Sequence, residues 1–209
     1  MSLKLKKTIN RLFFPIALLF VATSFTGAYF SDSASVTGNT FDTGSWNDPV
    51  PTSARIVINE VMYRGSAEWI ELYNAGSNTV DIKGWIICDD AGHCGSLNPA
   101  SRTDVAPGEF VLVAHDAADL NSLSIPDGTK KIYYAGNTIY FNDTGGDGAI
   151  LKNNLGTIID QMSYDGDTTA FSPSCPSVVS SHSLSRNPLG FDTDSASDFI
   201  DLASPTPGS

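Results

Sequence analysis

The amino-acid sequence predicts an all-β protein, folded as an antiparallel β-sandwich or barrel. Seven or eight short segments alternate apolar and polar residues with the period of two that β-strands show. Clusters of Gly, Asn, Asp, Ser and Thr separate these segments, as is typical of tight turns. Helical periodicity is confined to one brief run, residues 117–123. Together these patterns favour packed sheets over a helical fold.

The start of the chain has the layout of a secretory signal peptide. A basic beginning leads into the apolar run 12–25, and Thr26 and Ala28 are placed like the −3 and −1 positions of a cleavage site. The run is shorter than the roughly 20 residues of a membrane span, and a proline interrupts it. We expect residues 1–28 to be cleaved. A retained hydrophobic leader helix, anchored in the membrane through residues 12–28, is the alternative.

Residues 29–54 lie between the leader and the body of the protein. Beginning at Ala28, the stretch AYFSDSASVTGNTFDTGSW resembles part of the SipW-like signal peptides of exported biofilm proteins of the camelysin and TasA type. This resemblance covers residues 1–46 and implies an extracellular or cell-surface location. Residues 47–54, NDPVPTSA, indicate a proline-rich linker.

The net charge of −11 limits the partners that the protein can bind. An acidic surface is repelled by phosphate backbones, so we expect no nucleic acid among them. Only 17% of the residues are charged, which suits an exported polar surface better than a cytosolic enzyme. The expected partner is therefore an unidentified protein or another component of the cell envelope, with membrane contact only through an uncleaved leader.

Residues 56–74 predict the first β-hairpin of the body. Segments 56–61 and 69–73 alternate apolar and polar positions, and the RGSA that separates them is a turn signal. The hairpin carries three glutamates, Glu60, Glu68 and Glu71.

The alternation also predicts which face each glutamate occupies. Since side chains two residues apart lie on one face of a strand, Glu60 should share the face of Ile56 and Ile58. By the same rule Glu71 should share the face of Trp69.

Further strands are predicted along the rest of the chain. They cover residues 80–82, 84–88, 110–114, 131–134, 138–141, 148–152 and 157–164. The last two are joined by the turn NNLG and form the clearest hairpin. Trp69 and Trp85 are the expected anchors of the core, because large aromatic side chains bury much apolar surface.

With these segments in order, the body resembles the lamin-tail domain, a family found in nuclear lamins and in many bacterial secreted proteins. The matching stretches are IVINEVMYRGSAEWIELYNAGSNTVDIKGWIICDD, VAPGEFVLVAHD, FNDTGGDGAILKNNLGTIIDQMSYDGD, HSLSRNP and a terminal SPTPG. They span about residues 55–208. The resemblance implies an immunoglobulin-like antiparallel β-sandwich behind the leader at 1–28 and the linker segment at 29–54.

Glutamates among apolar residues have two interpretations. A hydrolase could use Glu60 and Glu71 as acid and base, but it would need both carboxylates at a cleft, roughly 5–10 Å apart. No recognisable catalytic motif accompanies them. The resemblance implies instead that Glu60, Glu68 and Glu71 are structural and hydrogen-bonded, with Arg186 as an ion-pair partner. We expect no catalytic residue and no cofactor.

The three cysteines predict one disulfide, because export favours oxidation. Cys88 with Cys94, which closes a short loop after a strand, is the preferred pair. Cys175 is the alternative partner of either, and one thiol is left over in each case. His93 lies between Cys88 and Cys94, but zinc normally takes more ligands than this loop supplies.

Acidic loops are weak candidates for a calcium site. Asp143, Asp147, Asp165 and Asp167 lie in loops whose oxygens could serve such an ion. We expect instead that they bond to the backbone of their own turns, so that no metal is bound.

The resemblance implies a non-enzymatic module that binds or tethers a partner at the cell surface. Loops at one end of the sandwich, or an unpaired strand edge, would supply the contacts. A structural component of an extracellular matrix or biofilm is the first alternative. A secreted hydrolase that uses Glu60 and Glu71 is the second.

Overall fold

A computed structural model describes residues 54–65, 67–97, 103–136 and 139–209 of the protein. The strands are β1 Ile56–Met62, β2 Trp69–Asn74, β3 Val80–Asp81, β4 Trp85–Cys88, β5 Cys94–Leu97, β6 Asp104–Val105, β7 Phe110–Ala114, β8 Lys130–Tyr133, β9 Ala135–Gly136, β10 Asp147–Lys152, β11 Ile158–Tyr164, β12 Ser183–Arg186 and β13 Phe199–Leu202. Helix α1 is Ala117–Leu120, and Ala196–Asp198 forms a 3₁₀ turn. The predictions for the leader and for most of the linker fall outside the described residues.

The strands form two main sheets, which confirms the predicted all-β sandwich. One has six strands in the order β13-β12-β1-β2-β7-β8, antiparallel except for the parallel pair β7 and β8. The other has five strands in the order β11-β10-β4-β5-β9, and β3 and β6 form a separate ribbon. In the described ranges, no helix is long and apolar enough to cross a membrane.

The main core lies between the two sheets. Ile58 and Leu72 from the first sheet are packed in one apolar cluster with Trp85 and Leu151 from the second. A smaller cluster on the other face of the six-stranded sheet contains Met62, Trp69, Leu112, Ala114 and Leu120. The two predicted tryptophan anchors therefore lie in different clusters.

A β-bulge in β1 overturns the predicted placement of Glu60. The register of β1 against β2 shifts between Ile58 and Glu60, so that Ile58 faces Leu72 while Glu60 faces Glu71. One extra residue reverses the alternation of the rest of the strand. The prediction that Glu60 shares the face of Ile58 is wrong, because the bulge turns this carboxylate to the outer face beside Glu71.

Most of the predicted strands differ from the structure only at their ends, whereas β5, β6, β9, β12 and β13 were not predicted. The hairpin of β10 and β11 is confirmed. The helical run 117–123 shortens to one turn, which begins at a capping box formed by Asp116 and Asp119. Of the strand predicted at 138–141, the described residues 139–141 form no strand, and the nearest pairing is at Ala135–Gly136.

Arg186 on β12 joins the two sheets through a buried ion pair. Its Nη2 lies 3.0 Å and 2.9 Å from the two carboxylate oxygens of Asp160 on β11. Asp160 also accepts from the backbone N–H of Ile58 at 2.7 Å, while Arg186 Nε donates to the carbonyl of Ile58 at 2.8 Å. One residue from each sheet thus binds a backbone group of the same β1 residue, Ile58.

Further contacts complete the surroundings of this arginine. Its Nη1 lies 3.1 Å from a carboxylate oxygen of Asp192 and 3.3 Å from one of Asp198. The guanidinium also stacks over the Phe199 ring, 4.5 Å from the ring centre. The prediction that Arg186 pairs with the glutamates is wrong, because all of its described ion pairs are with aspartates.

We expect Arg186→Met to lower the free energy of unfolding by about 3–5 kcal/mol, because it leaves Asp160 buried without its counter-charge. Chemical denaturation followed by tryptophan fluorescence would measure this loss. Arg55→Met is the matched control, since Arg55 is partly exposed and lies 3.6 Å from Asp192. Its loss should stay below about 1 kcal/mol, and equal losses in the two variants would contradict the prediction.

Candidate functional site

Glu60 and Glu71 lie side by side on the outer face of the six-stranded sheet and hold the C-terminal segment 203–209. Glu60 accepts from the backbone N–H of Thr206 at 3.1 Å, from the Thr206 hydroxyl at 2.9 Å and from the Ser183 hydroxyl. Glu71 accepts from the backbone N–H of Gly208 at 2.5 Å and from Asn59 Nδ2 at 2.8 Å. We call this arrangement the tail clasp.

The tail clasp is unsuited to catalysis. Both glutamates are completely buried, and their oxygens are occupied by donors from the chain itself. Burial raises the pKa of Glu71 to about 8 and also raises the pKa of Glu60. A raised pKa is common in active sites, but here no substrate could reach either carboxyl group without displacing the tail.

Glu68 has a different environment from the other two glutamates. It is half-buried, accepts from the backbone N–H of Phe141 at 3.3 Å, and has its pKa raised to about 7 by burial. It lines a polar pocket of about 230 Å³ together with His115, Asp119 and Tyr134. The sequence predicted a hydrogen-bonded carboxylate at Glu68, and the contact with Phe141 agrees with that prediction. The sequence did not predict the pocket that Glu68 lines.

His115, Asp116 and Asp119 form a cluster beside this pocket. Each residue has one possible metal-ligand atom, and these three atoms lie within 4.8 Å of one another. No other such group of three occurs among the described residues. Both carboxylates already cap α1, since Asp116 accepts from the N–H of Ala118 at 2.7 Å and Asp119 accepts from that of Asp116 at 3.1 Å. The cluster is therefore explained by the start of a one-turn helix.

Three of the four aspartates that were weak candidates for a calcium site accept hydrogen bonds from backbone N–H groups. Asp147 is buried and accepts from the N–H groups of Gly148 and Asn142. Asp165 accepts from Gly145, and Asp167 accepts from Thr169. No three carboxylates among these four residues converge within the distance found at α1.

The preferred disulfide between Cys88 and Cys94 is confirmed. It closes the loop in which His93 Nδ1–H donates to the Asp89 carboxylate at 2.7 Å. Cys175 is the thiol left over; it is buried, and burial raises its pKa to about 12. It is therefore protected from the thiolate chemistry of reactive cysteines.

An open groove lies beside Trp69. It has a volume of about 300 Å³ and is lined by apolar side chains and serines, with no charged residue. Met62 and Trp69 supply one wall, Leu123 follows α1, and Pro205 and Pro207 come from the clasped tail. We call it the Trp69 groove.

The indole of Trp69 has an unsatisfied donor. The residue is only 1% exposed, and its Nε1–H finds no acceptor within the described residues. Buried polar groups normally have a partner, because leaving one unpaired costs on the order of 1–3 kcal/mol. The sequence indicated a packed core residue at this position, and no sequence signal reveals an unpaired N–H.

Comparison with known proteins adds one match. A family model described as Lamin Tail Domain matches residues 49–166, more than half of the chain. The matched range contains β1 to β11, including Glu60, Glu71 and Trp69, whereas Arg186 and the tail lie beyond it. No curated protein matches the chain.

We expect the free energy of unfolding to fall as the pH rises from about 5 to about 8. Glu71 holds its proton up to about pH 8 in the folded state, whereas a carboxyl group in the unfolded chain releases its proton near 4.5. The stabilisation is complete below the lower value and is lost as the pH approaches the upper one. The slope from this group reaches on the order of 1 kcal/mol per pH unit.

Glu71→Gln should flatten this dependence, because the amide does not ionise. Part of the slope should remain, since the raised pKa of Glu68 acts in the same direction. Urea denaturation at half-unit pH steps would measure it, with Asp127→Asn in an exposed turn as the control. A slope in Glu71→Gln equal to that of the unsubstituted protein would count against the assignment.

Proposed function

Since this chain belongs to the lamin tail domain family, we propose that it is a non-enzymatic module that is exported and binds or tethers a partner at the cell surface. The single observation that supports this role best is the Trp69 groove, which is open, uncharged and lined by apolar side chains and serines. The signal-peptide layout of residues 1–28 supports export.

The groove has the composition of a recognition surface. Small concave sites are mostly apolar and carry a few polar groups that fix orientation. Here Met62, Leu123 and two prolines supply the apolar area, while Ser122, Ser124 and Ser181 supply polar groups.

The carboxylates favour binding over hydrolysis. A hydrolase needs ionisable groups that face its substrate, but Glu60 and Glu71 are buried and hold the tail. Their hydrogen bonds explain why acidic residues persist in an apolar strand without assigning them a reaction.

One observation supports a matrix or biofilm component as the second candidate. Strand β11 lies at the edge of the five-stranded sheet and exposes Ile158 by 50% and Ile159 by 37%, and Leu155 at its hairpin tip by 85%. An open edge with apolar side chains can pair with a strand of another chain. This candidate predicts assembly through β11 and not through the groove.

Export predicts that protease added to intact cells degrades the full-length chain. A variant without residues 2–28 should stay inside the cell and survive the same treatment. Equal survival of both forms would contradict export. A cytosolic protein in the same cells reports whether they stayed intact.

If the Trp69 groove binds the partner, a substitution in the groove should change the amount of protein that envelope fractions retain. We expect Leu123→Asp to lower the amount of full-length chain retained by at least about tenfold, because a charge at the groove wall must be desolvated when a partner docks. Leu155→Asp is the matched control and should be retained normally. Thermal melts of both variants identify any loss of folding, and the reverse pattern would favour assembly through β11.

A further inference from the structure

The polar pocket of about 230 Å³ beside α1 combines acidic and aromatic walls. Its carboxyl groups and rings belong to Glu68, Asp119, His115, Tyr134 and Tyr140. The described lining contains no lysine or arginine. Gly65 is the one lining residue that the pocket shares with the Trp69 groove, so the two are distinct openings.

Glu68 brings a negative charge to this pocket without a counter-charge in its walls. Burial raises the pKa of Glu68 to about 7, and the charges of Asp143, Asp119 and Asp147 raise it further. The backbone N–H of Phe141 opposes this rise by donating to the carboxylate. A half-buried carboxylate among other carboxylates is stabilised when a cation binds beside it.

One oxygen of each lining carboxylate remains available to such a cation. Glu68 accepts from the N–H of Phe141 through Oε2, and Asp119 accepts from that of Asp116 through Oδ2. Within the described ranges, neither Glu68 Oε1 nor Asp119 Oδ1 accepts a hydrogen bond. An ammonium group has three N–H donors and no acceptor, so it requires acceptor oxygens of this kind.

The rest of the pocket favours an ammonium group on an alkyl chain over a metal ion. A divalent metal ion binds a compact shell of oxygen or imidazole ligands. This pocket also presents Tyr134, Ile139 and Tyr140 to its occupant. Tyrosine rings attract cations, and apolar surface covers the methylene groups behind a terminal charge.

A lysine side chain is the source of ammonium that fits this pocket best. Its flexible stem separates the charge from the backbone, so the ammonium group can enter while the backbone stays at the opening. The ethanolamine headgroup of a lipid also ends in an ammonium group, but it carries a phosphate close to the nitrogen. Glu68 and Asp119 would repel that phosphate, as would a chain of net charge −11.

We propose that the pocket lined by Glu68, Asp119 and Tyr140 binds a lysine side chain of a protein partner. The ammonium group donates to Glu68 Oε1 and Asp119 Oδ1, and the methylene groups lie against Tyr134 and Tyr140. This site goes beyond the proposed function, which concerns the Trp69 groove, and either site can fail without the other.

A titration with lysine analogues tests the class of ligand. The probe is N-acetyl-lysinamide, in which the side-chain amine is the one ionised group, and it is added to full-length protein with ¹³C-labelled histidine rings. Of the three histidines, His115 lines the pocket, whereas His93 and His182 pair with aspartates elsewhere. At constant pH and chloride, we expect the His115 signals to move and to saturate while the other two stay constant. Loss of a signal in His115→Gln identifies it.

Matched variants locate the contact. Glu68→Gln removes the charge but keeps an acceptor for the N–H of Phe141, so it should fold and bind the probe at least about tenfold more weakly. Asp127→Asn removes a charge from an exposed turn and should leave the affinity unchanged. Tyr140→Ala should also weaken the probe, whereas Tyr133→Ala, an exposed tyrosine outside the pocket, should not.

Several outcomes would overturn the proposal. One is the absence of a saturable change at His115 up to tens of millimolar probe, and another is equal binding of N-acetyl-norleucinamide, which has the stem without the charge. Tighter binding of phosphoethanolamine would assign the pocket to a lipid headgroup. Tighter binding of tetramethylammonium would assign it to a quaternary cation, and tighter binding of calcium or zinc to a metal. In each case the proposal for the Trp69 groove would still stand.

Discussion

The ion pair between Arg186 and Asp160 is the contact on which the rest of the structure depends. Each of these side chains is almost completely buried, so each makes the burial of the other tolerable. Asp160 belongs to β11 and Arg186 to β12, and both bond to the peptide groups of Ile58. The pair therefore fixes the distance between the sheets and also holds β1 at one residue, immediately before its bulge.

The bulge in β1 determines where Glu60 lies relative to Glu71. With β1 held at Ile58, the extra residue turns Glu60 outward to face Glu71 across the strand pair. Carboxylates directly opposite each other on two strands repel each other when ionised. Here the tail covers both groups, and its N–H groups at Thr206 and Gly208 bind them. The tail also brings Pro205 and Pro207 to the groove, so a change of register in one strand helps to place one wall of the Trp69 groove.

The sequence predicted the features that depend on local pattern. Period-two alternation found the two central hairpins, and a short loop after a strand pointed to the disulfide of Cys88 and Cys94. It missed β5, β6, β9, β12 and β13, which have two to four residues each. All four residues of β12 are buried, so this strand shows no alternation of buried and exposed positions. It also misplaced Glu60 and the partners of Arg186, because the bulge and the ion pair depend on residues far apart along the chain.

The Trp69 groove could not be predicted either, because it also depends on residues that lie far apart along the chain. Its walls come from the β1–β2 hairpin, the residues after α1 and the tail, and none of these has a sequence signature of a site. Ordinary packing accounts for each of these residues taken singly, and the groove exists only where the three segments meet. The buried glutamates contribute to this surface only indirectly, through the tail that carries Pro205 and Pro207.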